Sequence, residues 1–298
     1  IRTHSIDEYV YTDTDYLKLL DSSSGPTLLL LVGVQSNQFH RAADLAILAR
    51  SNGCQVVIGG PHTMTCDTSM LHGHGISFSQ AEAEIVLPTI LDDVISRKEL
   101  QPVYGVNQRW ADEVETPVLI SPSKRDLRRY VVPLVGFYPY RGCPFTCNFC
   151  SVIKIAGRKI RGQSLDTTIA SLKAIKAGGV RMVMFTSDNF NKIPNVKEML
   201  GAMIDEKCEI PFFCQCDTQI AGQPELVELM ARAGCFDIFV GVESFDPRTL
   251  SQAHKYQNKP QKYADIVKLC RRWGISSHFS NILGFPDDTE DVVLGHLD

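Results

Sequence analysis

Apolar and polar positions alternate along the chain in two successive series of short apolar runs and longer segments of helical period. Leu28-Leu-Leu-Leu-Val-Gly-Val34 is apolar without alternation and bounded by turn residues, which predicts a strand buried on both faces of a parallel sheet. From Phe39 to Ser51 the positions Ala42, Leu45, Ala46 and Ala49 recur at helical spacing, and Gly53 is the stop. Val56–Ile58 and Ile76–Phe78 read as strands, Ser69–His72 as a short helical piece, and Glu82–Ile95 as a helix that Pro88 should kink or shorten. Residues 1–26 are polar and irregular, apart from an amphipathic piece at Tyr16–Leu20.

Residues 101–132 keep no sustained period and contain Pro102, Pro117, Pro122 and the basic run Lys124, Arg125, Arg128 and Arg129, the composition of a surface connection between domains. The alternation then resumes in longer units. Strands are predicted at Leu134–Tyr138, Val180–Thr186, Phe212–Cys216, Phe236–Val242 and Ser277–Leu283, and helices at Leu165–Ala177, Val196–Asp205, Pro224–Arg232 and Lys262–Trp273. Repeated units of this kind build α/β domains with parallel sheets, whose chemistry lies at the carboxyl ends of the strands. The first series predicts a doubly wound parallel sheet and the second a barrel or open sheet.

Composition narrows this picture. At 298 residues the chain suits two domains, and 44% hydrophobic with 21% charged residues fits an ordered core. A net charge of -4 argues against a broad basic footprint for nucleic acid. No apolar run approaches the roughly 20 residues of a membrane span. Ten cysteines without an apolar leader point to a reducing cytoplasm. The chain opens on Ile1 and stops at Asp298 in the start of a helical pattern, so it is expected to be a fragment, truncated at both ends.

Three of the cysteines, Cys143, Cys147 and Cys150, stand C-x3-C-x2-C just after the strand predicted at Leu134–Tyr138. Soft thiolates in a reducing compartment favour zinc or iron–sulfur clusters, and a closed zinc site needs a fourth ligand that no nearby Cys or His supplies. This spacing resembles the radical S-adenosylmethionine (SAM) superfamily, whose three thiolates leave one iron of a [4Fe-4S] cluster open to SAM. The later strand ends are similar to segments of that superfamily. Thr186-Ser-Asp188-Asn189-Phe190 resembles its acidic turn at the SAM amino group, Gly241-Val-Glu243-Ser244 its G-x-E-S segment at the ribose and methionine part, and the stretch through Ile282 and Gly284 its adenine segment. Ser280 replaces the first glycine of that last pattern. The resemblance implies that Cys143, Cys147 and Cys150 hold the cluster and that Phe149, Asp188, Asn189, Glu243, Ser244, Ile282 and Gly284 bind SAM. Cys214 and Cys216, with the remaining cysteines, read as packed residues.

The order Gln35-Ser36-Asn37-Gln38, Gly59-Gly60-Pro61-His62 and Glu82, ahead of the triad, resembles the cobalamin-binding domain that precedes many radical SAM barrels. These nine residues are the expected cobalamin contacts. No histidine stands in the Asp-x-His-x-x-Gly pattern that supplies an axial ligand to cobalt, and His62, His72 and His74 read as satisfied or surface histidines. The implied organisation is a cobalamin-binding Rossmann-like domain over 1–100, a linker over 101–132, and a partial (β/α)6 TIM-type barrel over 133–298 with its last strand beyond the chain. The implied activity is methylation of an unactivated carbon of a small molecule or peptide, with an electron donor such as flavodoxin or ferredoxin. The alternatives are a cobalamin-dependent radical cyclisation or rearrangement, methylthio transfer to tRNA, and a non-catalytic cobalamin-binding module. Methylthio transfer needs further cysteines ahead of the triad, where only Cys54 and Cys66 stand.

Overall fold

The computed structural model describes residues 3–7, 25–114, 117–118, 124–208 and 210–295. The amphipathic piece expected at Tyr16–Leu20 lies outside them. The chain packs as two compact units, Ile1–Val114 and Glu115–Asp298.

In the first unit, β1 (Leu28–Leu31), α1 (Phe39–Ser51), β2 (Gln55–Gly59), α2 (Pro61–Thr65), β3 (Ile76–Ser79), α3 (Ala83–Ile95) and β4 (Val103–Tyr104) follow in order. The strands form one parallel sheet in the order β1-β2-β3-β4. Val56 and Ile58 of β2 pack with Ala42, Ala46 and Ala49 of α1, whereas Val57 between them packs with Val86 and Ile90 of α3. Helices therefore cover both faces of β2, and all three consecutive apolar side chains are buried. Each contributes about 1.5–3 kcal/mol by leaving water.

Three expectations change. Leu28–Val34 is not buried on both faces: Leu30 is 37% and Val32 79% exposed, because β1 ends the sheet among the described residues and pairs on one flank only. The strand order runs with the chain, so the reversal that defines a switch point in a doubly wound sheet is not present among the described residues. Residues 103–104, expected in a surface connection, extend the sheet as β4 and bury Tyr104, whose hydroxyl donates to Asp93 of α3 at 2.9 Å. Two residues are too few to carry a period. Pro88 lies within α3, which is continuous from Ala83 to Ile95.

The second unit contains β5 (Leu134–Phe137), the antiparallel pair β6 (Tyr140–Arg141) and β7 (Arg161–Gly162), α4 (Leu165–Ala177), β8 (Met182–Phe185), α5 (Val196–Asp205), β9 (Phe212–Cys216), α6 (Pro224–Arg232), β10 (Cys235–Glu243), α7 (Pro247–Gln252), α8 (Tyr263–Arg272), β11 (Ser276–Asn281) and α9 (Glu290–Leu294). The five long strands form a parallel sheet in the order β5-β8-β9-β10-β11. Leu172 and Ile175 of α4, Met199 and Met203 of α5, Leu226 and Met230 of α6, and Ile266 and Cys270 of α8 join Val183, Phe185, Phe212, Ile238 and Val240 in one core. Phe185, Phe190 and Phe212 meet edge-on or tilted within it, with Phe185 and Phe212 centroids 5.0 Å apart. Cys214 and Cys216 are packed in that core with their sulfurs 4.0 Å apart, and burial pushes the Cys214 thiol well up. Among the described residues no helix is long and apolar enough to cross a membrane.

Replacing Tyr104 by Phe removes the donor to the buried Asp93 carboxylate, and the unfolding free energy is expected to fall by about 1–3 kcal/mol in chemical denaturation. Burial, the largest cause, pushes the Tyr104 hydroxyl from 10.0 to about 12. The folded state thus keeps a proton that the unfolded chain loses, so this contribution is complete below pH 10 and is lost as pH rises to about 12. Wild-type and Tyr104→Phe stabilities should converge over that window.

Candidate active site at the strand ends

The cysteine loop leaves β5 through β6 and is closed by the β6–β7 ribbon, with Tyr140 paired to Gly162 and Arg141 to Arg161. Strands of two residues are too short to carry a periodic signal. Gly142 stands at φ +104°, and a Cβ there would lie 2.3 Å from the Lys159 carbonyl oxygen, so this position requires glycine. Cys143 N–H donates to Gly157 O and Cys150 N–H to Cys147 O. Asn148 is held on both sides, its N–H by Ala253 O at 3.2 Å and its Nδ2 by Gln252 O at 2.9 Å.

The turn after β8 meets this loop. Asp188 Oδ2 accepts from the Tyr138 hydroxyl at 2.6 Å and from Gly142 N–H at 2.7 Å, and Ser187 Oγ accepts from Tyr140 N–H. Burial raises the Asp188 carboxyl above its ordinary value, opposed by the Tyr138 and Gly142 hydrogen bonds and by Arg141. Asn189 is 4% exposed; its Nδ2 donates to Asp217 Oδ2 at 3.0 Å and reaches Cys143 Sγ at 3.8 Å. Gln257 Nε2 approaches Cys147 Sγ at 3.7 Å. The sulfurs of Cys143 and Cys147 therefore have amide donors beside them, which suits thiolates. Burial pushes the Cys143 and Cys150 thiols up.

At the end of β10, Glu243 adopts φ +63° at a register shift between Gly241 and Glu243. Its carboxylate meets Lys255 Nζ at 2.6 Å, and both side chains are 9% exposed. Gly241 leaves room for the pair, because a Cβ would stand 2.5 Å from Glu243 Oε1. Lys255 Nζ also lies 5.6 Å over the Phe149 ring, and Phe149 meets Phe285 edge-on at 5.9 Å. Ser244 is fully buried, with Oγ accepting from Asp246 N–H at 3.1 Å. Ile282 N–H donates to Glu243 O, and Gly284 and Phe285 N–H both donate to Asp288 Oδ2. The expected SAM residues thus stand at the carboxyl ends of β8, β10 and β11, with Phe149 in the cysteine loop between them.

Lys255, Gln257 and Asp217 were not foreseen. Asp217 directly follows the predicted strand Phe212–Cys216, a strand end like those of Asp188 and Glu243, but lies in none of the segments that carry the resemblance. Lys255 carried no such signal, because lysine is ordinarily exposed.

In the first unit, the turns after β1, β2 and β3 come together. Gly60, at φ +142°, packs so closely on the next turn that a Cβ would meet Val34 N at 2.2 Å. His62 N–H donates to Val34 O, and Thr63 Oγ1 donates to Ser79 O. Gln35, Ser36, Asn37 and Gln38 are exposed, with Gln35 N–H donating to Gln38 Oε1 at 3.1 Å. His62 stacks on Phe39 at 3.8 Å and its Nδ1 meets Ser36 Oγ at 3.1 Å; His72 Nε2 meets Thr68 Oγ1. Pro61 opens α2 against Gly59 and Gly60. Glu82 Oε2 accepts from Ala111 N–H at 2.7 Å, which ties the 109–111 segment to the start of α3.

Among the described residues no three His, Cys, Asp or Glu side chains converge closely enough to hold a single metal ion. A cube of four irons asks for something different, since each thiolate binds its own iron. Three thiols in one pinned loop, with no fourth protein ligand beside them among the described residues, fit that donor set.

Residues 137–298 match the Radical SAM superfamily, and the chain belongs to it. Among curated proteins the chain is similar to the uncharacterized methyltransferase PH0819 of Pyrococcus horikoshii, 27% identical over 80% of this chain and 56% of that protein. It is also similar to the hopanoid C-2 methylase of Rhodopseudomonas palustris, 25% identical over 98% of this chain and 53% of that protein. The chain thus spans about half the length of these relatives. Its fold is that of the radical S-adenosylmethionine methyltransferase TsrM from Kitasatospora setae, with a TM-score of 0.83 at 17% identity over 96% of this chain and 62% of that one.

Because breaking a buried ion pair strands one charge, Lys255→Met is expected to cost about 3–5 kcal/mol in unfolding free energy. Adding Glu243→Gln should recover part of that loss in the double variant, measured by the same denaturation curves.

Proposed function

We propose that the chain carries the cofactor-binding parts of a cobalamin-dependent radical SAM methyltransferase acting on an unactivated carbon of a small molecule or peptide. The observation that carries this reading is the pinned loop of Cys143, Cys147 and Cys150 at the end of the first of five parallel strands, bordered by the turn after β8 and by residues 252–257 that follow β10. The second unit is read as a partial (β/α)6 barrel and the first as the cobalamin-binding domain, joined by a linker within 101–132.

Cys143, Cys147 and Cys150 would hold the [4Fe-4S] cluster, which when bound supplies the electron that cleaves SAM to a carbon-centred radical. The chain's own residues do the rest of the work at this site. Asp188 and Ser187 hold the loop, Asn189 and Gln257 place N–H groups beside the sulfurs, and Phe149 with Phe285 offers an apolar wall for a flat base. Glu243 and Lys255, buried together, present a polar surface whose net charge is balanced, suited to the ribose and methionyl parts of SAM.

For the first unit, the support is the gathering of Gln35, Ser36, Asn37, Gln38, Gly59, Gly60, Pro61, His62 and Glu82 at strand ends, where open α/β sheets bind ligands. No histidine here stands in the Asp-x-His-x-x-Gly pattern, so the cobalt is read as lacking an axial histidine; His62 has its Nδ1 on Ser36 and its ring on Phe39. Names of relatives agree with methyl transfer, since the proteins similar to this chain include a hopanoid C-2 methylase. A flavodoxin- or ferredoxin-like protein is the proposed electron donor.

The anaerobically reconstituted full-length protein is expected to bind about four irons and to show visible charge-transfer absorption. Changing Cys143, Cys147 and Cys150 together to Ala should abolish both. With SAM and a reductant, a product heavier by one methylene than its substrate is expected by mass spectrometry. An isomeric or cyclised product of unchanged carbon count would replace methyl transfer with a rearrangement.

A further inference from the structure

We propose that Asp217 is a positioning residue of the SAM site: it fixes the orientation of the Asn189 carboxamide, so that Asn189 Oδ1 accepts a hydrogen bond from the amino group of SAM. The proposal rests on the radical SAM reading above and deepens it.

Asn189 lies against Cys143, with its carboxamide buried. A carboxamide has one donor end and one acceptor end, and the two are nearly isosteric, so its orientation is set by its partners. The partner here is a carboxylate, which can only accept. Asp217 is 5% exposed and surrounded by donors: Gln219 N–H reaches Oδ1 at 2.6 Å, Lys192 Nζ lies 3.8 Å from Oδ2, and Asn189 Nδ2 lies 3.0 Å from Oδ2. Asp217 N–H in turn donates to Asn191 Oδ1 at 2.9 Å, which fixes the backbone that carries the carboxylate. The NH2 end of Asn189 is thereby claimed by Asp217, and the oxygen end has to face elsewhere.

That oxygen, Asn189 Oδ1, is buried and finds no donor among the described residues. Buried polar groups are nearly always paired, so an orphan acceptor beside a cofactor loop marks the place of a ligand donor. Asp188, its neighbour, has Oδ2 turned to the loop, where it takes both Tyr138 and Gly142. Of the donors SAM carries, the amino group sits at the end that would occupy the open iron, and so next to the cysteines. Asn189 Oδ1 is the buried acceptor beside Cys143 with no donor among the described residues, and Asp217 is what keeps it turned that way.

The test uses the anaerobically reconstituted full chain, with SAM and 5′-methylthioadenosine as probes; the second lacks the amino-acid end. Dissociation constants come from equilibrium dialysis, with iron content and melting temperature measured alongside. Asp217→Asn, which can donate as well as accept, should release the Asn189 orientation and weaken SAM on the order of tenfold, leaving 5′-methylthioadenosine unchanged. Asp217→Glu, still acceptor-only, should retain more SAM affinity than Asp217→Asn. Asn189→Leu should weaken SAM as Asp217→Asn does, and the double variant should be no weaker than Asn189→Leu alone. Unchanged SAM affinity in Asp217→Asn, equal loss of both probes, or additive losses in the double variant would overturn the proposal. Iron-loaded wild type that binds no SAM would instead overturn the reading beneath it, and this proposal with it.

Discussion

The Asp188 carboxylate is the contact on which the site depends, since it bridges the end of β8 to the loop that follows β5. One oxygen takes the Tyr138 hydroxyl and the Gly142 N–H, immediately before Cys143. A loop of small and polar residues has little apolar area with which to pack, so hydrogen bonds have to supply its shape. Asp188, Ser187, the Gly157 carbonyl and the backbone of 252–253 do this from four directions. Desolvating a carboxylate is costly, and the raised Asp188 carboxyl reflects that cost; two donors in good geometry offset it.

A similar exchange occurs at β10. Glu243 in left-handed backbone conformation and the adjoining register shift interrupt the ladder. The carbonyls there are taken up by side chains instead: Asn258 Nδ2 donates to Gly241 O and Val242 O, and the Tyr263 hydroxyl to Val242 O and Ser244 O. The Glu243–Lys255 ion pair sits inside this frame, so neither charge is left alone in a dry site. The distortion leaves the Glu243 side chain buried directly after the buried Val242, where a regular strand would place it on the half-exposed face of Phe239 and Gly241.

Both places follow from the same architecture. In the second unit, the crossover helices α4, α5, α6 and α8 bury their apolar stripes in one core with the strands. The strand ends are left to carry polar groups, and their parallel order sets Asp188, Asp217 and Glu243 on successive strands β8, β9 and β10. Apolar burial thus provides the rigidity, and short polar networks use it to hold groups that would otherwise be solvated.

The sequence by itself determined the alternation of strands and helices. Leu165–Ala177, Val196–Asp205 and Phe212–Cys216 were legible to the residue, because each buries a regular apolar stripe whose period is local. It also determined the cysteine spacing and the acids at the ends of β8 and β10. Tertiary structure alone decided that Asp188 Oδ2 holds the loop and that Lys255, twelve residues on from Glu243, is buried against it. It decided as well that β1 pairs on one flank, that Val103–Tyr104 joins the first sheet, and that Asp217 meets Asn189. The physical reason is common to these cases: a hydrogen bond or an ion pair between distant segments leaves no periodic trace, since its geometry exists only after the strands have been set side by side.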